Sequence, residues 1–149
     1  MKYFKFILIN VIAFGMLFFL FSLLFPSQVV TSATVSVAAA KNVVKKKINN
    51  TSDWPIWNAL AKNGIINNNT RPGSDTMLYI IENNNRKVEA NFIIYQEQTN
   101  SVLVNWAVVE KLPWYKPWKK FSAMILSKNM AAVMDTSLNN LKTQIEAGK

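Results

Sequence analysis

The sequence predicts an α+β fold, one domain carried behind an apolar N-terminal helix. Three features predict this class: an uncharged run from Phe6 to Phe25, a middle section of short strands, and a long helical stripe near the C-terminus. The chain has 149 residues, which is enough for one domain with a core but not for two. We therefore divide it into a transmembrane anchor, residues 1–26, and a domain, residues 27–149.

The apolar run is long enough to cross a bilayer. A helix of about 20 residues spans roughly 30 Å, the thickness of the hydrocarbon core. A cleaved secretory signal is the alternative, but its apolar region is usually about 7–15 residues long. The best cleavage candidate, TSA at residues 31–33, also falls inside the first predicted strand.

Basic residues predict the orientation of the anchor. Lys2 and Lys5 precede the apolar run, and the first base after it is Lys41. The positive-inside rule then places the N-terminus in the cytoplasm. The chain is thus expected to be a single-pass protein of the cytoplasmic membrane, with its domain on the outer, periplasmic side.

The domain is predicted to run strand, two helices, antiparallel strands, long helix. Gln28–Val37 is rich in β-branched residues and predicts a strand, and a helix is expected over Ala38–Ile48. A second short helix is expected at Trp54, capped by Ser52 or Asp53. The later strands are predicted at Gly64–Asn67, Thr76–Glu82, Lys87–Gln96 and Ser101–Val109. From about Pro117 the period becomes helical, with an apolar stripe of Leu126, Met130, Met134, Leu138, Leu141 and Ile145.

The composition excludes several kinds of site. The chain has no Cys and no His, which removes Ser-His-Asp and Cys-His arrangements and zinc sites built on those ligands. Its eight acidic residues show no spacing typical of metal ligands, so we expect neither a metal nor a cofactor. The polar groups that a cavity would offer are Tyr79, Glu82, Arg86 and Tyr95. Their spacing indicates no acid–base pair, so we assign no catalytic residue.

The net charge of +9 is compatible with nucleic acid, an anionic membrane surface or solubility alone. Because the domain is expected outside the cytoplasm, nucleic acid is not an expected partner. No protein partner is predicted.

The order of these elements, with the motifs they carry, resembles the SRPBCC superfamily, the START-like, birch-pollen-allergen-type helix-grip fold. The similarity is greatest to short bacterial polyketide cyclase/dehydrase and lipid transport family proteins. It covers about Phe25–Glu146, through the motifs "FPS", "SATVSV", "AAAKNVVKKKI", "DWPIW", "SVLVNW", "LPWYKPWKKF" and "LNNLKTQIE". The family usually has about six strands after its helix pair, whereas we find about four. One hairpin is therefore expected to be missing or degenerate between Leu60 and Thr76.

The resemblance implies a curved antiparallel sheet around the C-terminal helix, with an apolar ligand between them. The residues expected to line this cavity are Trp54, Trp57, Tyr79, Phe92, Ile94, Val104, Trp106, Met130 and Met134. The alternative is that these side chains simply fill a small core, which is the usual role of a Met and Leu stripe.

A second expected site is the loop from Lys111 to Phe121, which mixes aromatic and basic residues as membrane interfaces do. Its members are Lys111, Trp114, Tyr115, Lys116, Trp118, Lys119 and Lys120. The alternative is that its tryptophans pack on the sheet while its lysines are solvated. The leading hypothesis is a non-catalytic domain that binds a hydrophobic small molecule or lipid. A cavity-less interaction module using its basic face and a polyketide-cyclase-like enzyme are the alternatives.

Overall fold

The computed structural model of the chain describes residues 2–62, 64–71, 76–83, 86–98 and 100–148. These residues form an antiparallel sheet, a helix that precedes it, and helices that pack on one of its faces. The elements are α1 (Lys2–Leu23), β1 (Gln28–Val37), α2 (Lys41–Asn49), α3 (Trp54–Trp57), β2 (Ile65–Asn68), β3 (Thr76–Asn83), β4 (Arg86–Gln98), β5 (Ser101–Lys111) and α4 (Pro117–Ala147).

The sheet has the order β1-β5-β4-β3-β2, and every neighbouring pair is antiparallel. Residues paired across antiparallel strands face the same side, so the register sets which side chains meet. One inward row runs Ala33, Trp106, Phe92 and Met77 from β1 to β3. All four are buried, and the rings of Phe92 and Trp106 are stacked with centroids 5.1 Å apart.

The C-terminal helix covers this inward face. The second half of α4 contributes Met134, Leu138, Leu141 and Ile145 to the same core cluster as the inward strand residues. These positions lie three or four apart, so a single stripe of the helix meets the sheet. An α+β fold in which a sheet packs against a long C-terminal helix is therefore confirmed.

The number of strands after the helix pair also agrees with the prediction. β2, β3, β4 and β5 are four strands in the described part of the chain. Between Leu60 and Thr76 the structure places β2, which pairs with β3. Residues 63 and 72–75 of that segment lie outside the described residues, as do residues 84, 85 and 99, which fall between the later predicted strands.

The predicted cap of the short helix is not what the structure contains. Ser52 lies within a 3₁₀ turn at Thr51–Asp53, and Asp53 stands at the cap position before α3 but makes no side-chain cap hydrogen bond. The Asp53 carboxylate instead accepts from Lys47 Nζ at 2.9 Å. Because α3 is a single turn that continues the preceding 3₁₀ turn, a lysine from α2 is the stronger partner for the acid.

The first half of α4 departs from the predicted stripe. Leu126 is 46% exposed and Met130 is partly buried, whereas the positions from Met134 onward are buried. The beginning of α4 also meets α1, where Phe121 contacts the rings of Phe18 and Phe25 at 5.5 and 4.8 Å. Along α4 the environment therefore changes: the beginning of the helix contacts α1, and its second half packs into the core under the sheet.

One helix in the described residues is long and apolar enough to cross a membrane, judged by length and composition. It covers Tyr3–Leu23 within α1. Its large side chains are exposed, from 38% at Phe19 to 86% at Tyr3. This exposure differs from that of the inward-facing apolar residues of the sheet, which are buried.

Candidate functional site

The nine residues predicted to line a cavity come together between the sheet and α4. Eight of them are at most 3% exposed: Trp54, Trp57, Tyr79, Phe92, Ile94, Val104, Trp106 and Met134. The ninth, Met130, is partly buried and packs against the same cluster. Their contact with a ligand remains a prediction.

The rings of this group touch one another. Trp54 lies 4.6 Å from Tyr79 and 5.4 Å from Trp57, measured between ring centroids, and Trp57 lies 6.4 Å from Trp106. Aromatic pairs of this kind contribute about 0.5–1.5 kcal/mol each beyond the area they bury. These side chains are almost completely buried by one another and by their neighbours. A ligand in this region therefore requires the side chains to move apart.

Two of the buried aromatic residues have their polar atoms satisfied. Trp54 Nε1 donates to the Ile48 carbonyl at 2.7 Å, and the Tyr79 hydroxyl donates to Asn49 Oδ1 at 2.7 Å. Burial raises the pKa of Tyr79 above its usual value, an effect larger than the lowering by a side-chain hydrogen bond with Thr70. Both contacts join the end of α2 to the core, so they hold the helix pair in place.

Three other buried donors of the domain have no hydrogen-bond partner among the described residues: Trp57 Nε1, Asn58 Nδ2 and Trp106 Nε1. Outside the domain core, the Ser22 hydroxyl of α1 is also without one. An unpaired buried donor costs about 1–3 kcal/mol, because it gives up water without replacement. Two of the donors are consecutive residues at the end of α3, and the ring of the third contacts the first. The polar character of the core is thus concentrated where α3, β5 and α4 meet.

Asn58 and Ser137 are site residues that the sequence analysis missed. Asn58 Oδ1 accepts from the Leu60 amide at 3.0 Å, and the Ala59 amide donates to Ser137 Oγ at 3.1 Å. Both residues are fully buried. The sequence could have indicated that Ser137 is buried, because it lies three residues after Met134 and next to Leu138, on the apolar stripe. Asn58 gave no periodic signal, since it follows a single-turn helix.

A narrow recess lies between the sheet and the first half of α4. Its volume is about 10 Å³, close to the minimum for a single water molecule. Its lining comes from β1, β5 and α4, namely Val29, Thr31, Val108, Glu110, Ala123, Ser127 and Met130. Met130 therefore belongs both to the recess and to the edge of the buried cluster.

Larger recesses lie at the other end of α4. Two overlapping surface depressions, of about 430 and 530 Å³, share Val43, Ile145 and Gly148. The larger one also carries Lys46 and Lys47 from α2. These depressions are open to solvent and lie near the C-terminal end of α4, away from α1.

The predicted membrane-interface loop exposes its aromatic side chains. Trp114, Tyr115 and Trp118 are 59%, 54% and 61% exposed, so they do not pack on the sheet. Trp114 lies 6.4 Å from Phe19 of α1, measured between ring centroids. The aromatic part of the loop is therefore next to the apolar N-terminal helix.

The four lysines of the loop have different environments. Lys111 Nζ binds Glu89 Oε1 at 2.7 Å, Lys116 Nζ lies 5.4 Å from the centre of the Tyr115 ring, and Lys119 is exposed.

Lys120 differs from the expected surface position, because it is only 2% exposed. Its Nζ donates to the carbonyls of Ser22 and Phe25 at 3.0 and 3.1 Å. The carbonyl end of a helix carries partial negative charge, which favours a cation there. Lys120 therefore joins the end of α1 to α4.

The polar groups considered for catalysis do not converge. Tyr79 is buried, whereas Tyr95 is 52% exposed and Glu82 pairs with Lys87 at 2.8 Å. The register places Glu82 and Tyr95 on the opposite face of the sheet from Tyr79. The side chain of Arg86 lies outside the described residues. Within the described part of the chain, no group of three or more acidic residues is placed to hold a metal ion.

Comparison with known proteins identifies the fold through structure. Neither a family model nor a curated protein sequence matches the chain. A START superfamily protein from Mycobacterium smegmatis is similar, with 17% identity, a TM-score of 0.50, and coverage of 75% of this chain and 98% of that one. The Zhui aromatase/cyclase from a Streptomyces species has 9% identity and a TM-score of 0.54, covering 80% of this chain and 94% of its own.

A conserved protein from Geobacillus kaustophilus gives a similar result. Its identity is 10% and its TM-score 0.57, with coverage of 80% of this chain and 96% of that chain. At these identities the likeness establishes the fold alone. The chain has the START-like helix-grip fold that the sequence motifs predicted.

Proposed function

Starting from the START-like fold, we propose that the chain is a membrane-anchored domain that binds a hydrophobic small molecule or lipid between its sheet and α4. In this proposal α1 spans the cytoplasmic membrane with the domain on the outer side. The loop from Lys111 to Phe121 and the first half of α4 contact the bilayer. Binding, rather than catalysis, is the role of the buried cluster.

The observation that carries the proposal is the packing of α1 against the start of α4. Phe121 stacks on Phe18, and Trp114 contacts Phe19. Phe18 and Phe19 lie six or seven residues before the end of the apolar run, which is about 9–10 Å along a helix. If the run spans the hydrocarbon core, Phe121 and Trp114 lie beside its outer part, so the loop and the first turns of α4 meet the outer leaflet of the bilayer.

The surface next to α1 has the chemistry of an interface. Besides its aromatic residues, the first half of α4 exposes Met124, Ile125 and Leu126 at 47%, 73% and 46%. Lys116 and Lys119 supply positive charge beside this surface. Apolar and aromatic side chains with neighbouring lysines favour an anionic membrane. The loop is therefore proposed to face lipid.

An uncleaved anchor accords with the position of the alternative cleavage site. Residues 31–33 lie within β1, where they pair with Trp106, Ala107 and Val108 of β5. Cleavage there would remove part of an edge strand that also packs against α4. The α1 helix is thus proposed to remain part of the mature protein.

The narrow recess supports binding from the membrane side. It lies between β1, β5 and the half of α4 that meets the anchor, and Met130 separates it from the buried cluster. Methionine is flexible and adapts to irregular shapes, so it can open a small gap at low cost. An apolar molecule is proposed to enter here and separate the packed side chains.

Extraction of the purified full chain with organic solvent, followed by mass spectrometry, tests the proposal. We expect a bound apolar molecule in about stoichiometric amount. A Met130→Trp variant, which fills the recess, is expected to lose at least tenfold of that molecule. Met124→Trp, an exposed position of the same helix, is expected to retain it. If no apolar molecule, membrane lipid included, were more abundant in the extract of the wild type than in that of Met130→Trp, ligand binding would be overturned and an interaction module with a basic face favoured.

A further inference from the structure

We propose that the ligand carries a hydrogen-bond-accepting oxygen, and that the indole N–H groups of Trp57 and Trp106 with the amide of Asn58 recognise it. This inference rests on the proposed function and names the chemical class of the ligand. That class is an apolar molecule with a carbonyl, ester or carboxylate oxygen at one end.

The three donors form one buried cluster. Trp57 and Asn58 are adjacent at the end of α3, and the Trp57 ring lies 6.4 Å from that of Trp106 on β5. Each side chain is at most 1% exposed, and each donor has no partner among the described residues. Natural cores rarely leave buried donors unpaired, so three together indicate a place where an acceptor binds.

The donor cluster lies along the path from the narrow recess. Thr31 and Val108 line the recess, and the next inward pair of the same two strands is Ala33 and Trp106. Along α4, the same path runs one turn from Met130 to Met134 and about one further turn to Ser137. The Ser137 hydroxyl accepts from the Ala59 amide, which is next to Asn58 in the chain. A molecule that enters at Met130 with its oxygen first thus reaches the donors after two layers of side chains.

The donor types decide the chemistry of the ligand. An indole N–H donates and does not accept, so two of the three groups recognise only an acceptor. Asn58 Oδ1 already accepts from the Leu60 amide, which leaves its Nδ2 donor. The remaining surroundings are apolar rings and methionines, which suit a hydrocarbon body. The cluster therefore selects an oxygen acceptor on an otherwise apolar molecule.

Two probes of equal chain length separate this inference from the proposed function. The full chain, ¹⁵N-labelled at tryptophan in lipid nanodiscs, is titrated with decyl methyl ketone and with dodecane. We expect the ketone to bind at least tenfold more tightly than dodecane. It should shift the indole N–H resonances of Trp57 and Trp106 downfield and slow their hydrogen exchange. Trp54, which already donates to Ile48, serves as the internal reference.

Variants assign the selectivity to the donors. Trp57→Phe and Trp106→Phe keep an aromatic ring but remove the N–H, so the preference for the ketone is expected to fall toward equality. Leu103→Ala, on the opposite face of β5 from Trp106, should retain the preference.

Three outcomes overturn the inference. Equal binding of both probes would refute the oxygen selection and leave a general apolar site. Ketone binding that leaves both resonances unmoved would place the ligand elsewhere. Absence of binding by either probe would remove this ligand class, and with an empty solvent extract it would overturn the proposed function as well.

Discussion

At the scale of single residues, three tryptophans with the same burial differ in one hydrogen bond. Trp54, Trp57 and Trp106 are all at most 1% exposed, but only the N–H of Trp54 has a partner among the described residues. The spacing of Trp54 and Trp57 on a short helix predicted that they would pack together against the sheet. It did not predict which N–H is satisfied, because this depends on where the carbonyl of Ile48 lies in space.

Stability measurements on matched Trp→Phe variants test this difference. Each substitution removes the same volume, but Trp54→Phe also deprives the Ile48 carbonyl of its shortest hydrogen bond. We expect Trp54→Phe to lower the free energy of unfolding by about 1 kcal/mol more than Trp57→Phe or Trp106→Phe. Urea unfolding of the three variants measures it. Equal losses in all three would show that the N–H groups have equivalent partners.

The buried hydroxyl of Tyr79 predicts a pH dependence. Its folded pKa lies above the unfolded value of about 10, so the folded state holds a proton that the unfolded state has released. The contribution is complete below about pH 10 and is lost as the pH rises through the folded pKa. We therefore expect the free energy of unfolding of the wild type to fall more steeply above about pH 10 than that of Tyr79→Phe. Parallel pH profiles for the two proteins would contradict this assignment.

At neutral pH the same variant reports the hydrogen bond. Tyr79→Phe removes the donor to Asn49 Oδ1, at a cost of about 1 kcal/mol. Thermal unfolding at pH 7 measures this cost, and an unchanged midpoint would show that the bond contributes nothing.

At the scale of elements, α4 is one helix with two packing environments: its beginning contacts α1, and its second half packs on the sheet. Helical periodicity predicted its beginning at about Pro117 and its core-facing stripe, because burial against a sheet leaves a repeat of three and four. It did not predict the exposure of Leu126 or the burial of Lys120. The burial of Lys120 follows from α1, a distant segment whose end accepts its two hydrogen bonds.

Neighbouring lysines of α4 provide a matched pair for this contact. Lys120→Met removes two hydrogen bonds to the end of α1, whereas Lys119→Met removes an exposed charge from the same turn. Hydrogen bonds to a charged group are worth about 1.5–3 kcal/mol. We expect the Leu24 and Phe25 amides to exchange at least tenfold faster in Lys120→Met, with little change in Lys119→Met. Similar rates in both variants, measured by hydrogen exchange in nanodiscs, would mean that Lys120 does not hold the two helices together.

At the scale of the whole molecule, the sequence predicted the arrangement of elements better than the state of the site. The element order, the four strands after the helix pair and the α+β class were readable, because alternation in strands such as Lys87–Gln96 reflects one buried face. The sequence did not predict whether the inward-facing residues line a cavity or fill the core. That depends on how Trp54, Trp57 and Phe92 fit together in three dimensions.

The central claim is that α1 and the first half of α4 hold the domain against the bilayer, so that the narrow recess opens toward lipid. Tryptophan fluorescence of the full chain in bilayers with brominated acyl chains tests it most directly. We predict stronger quenching of Trp114 and Trp118 by bromines near the headgroup than by bromines at the bilayer centre. The Trp114→Phe, Trp118→Phe double variant should lose this quenching, while its buried tryptophans still fluoresce. Quenching that is absent from the full chain, or the same with and without the double substitution, would contradict the claim.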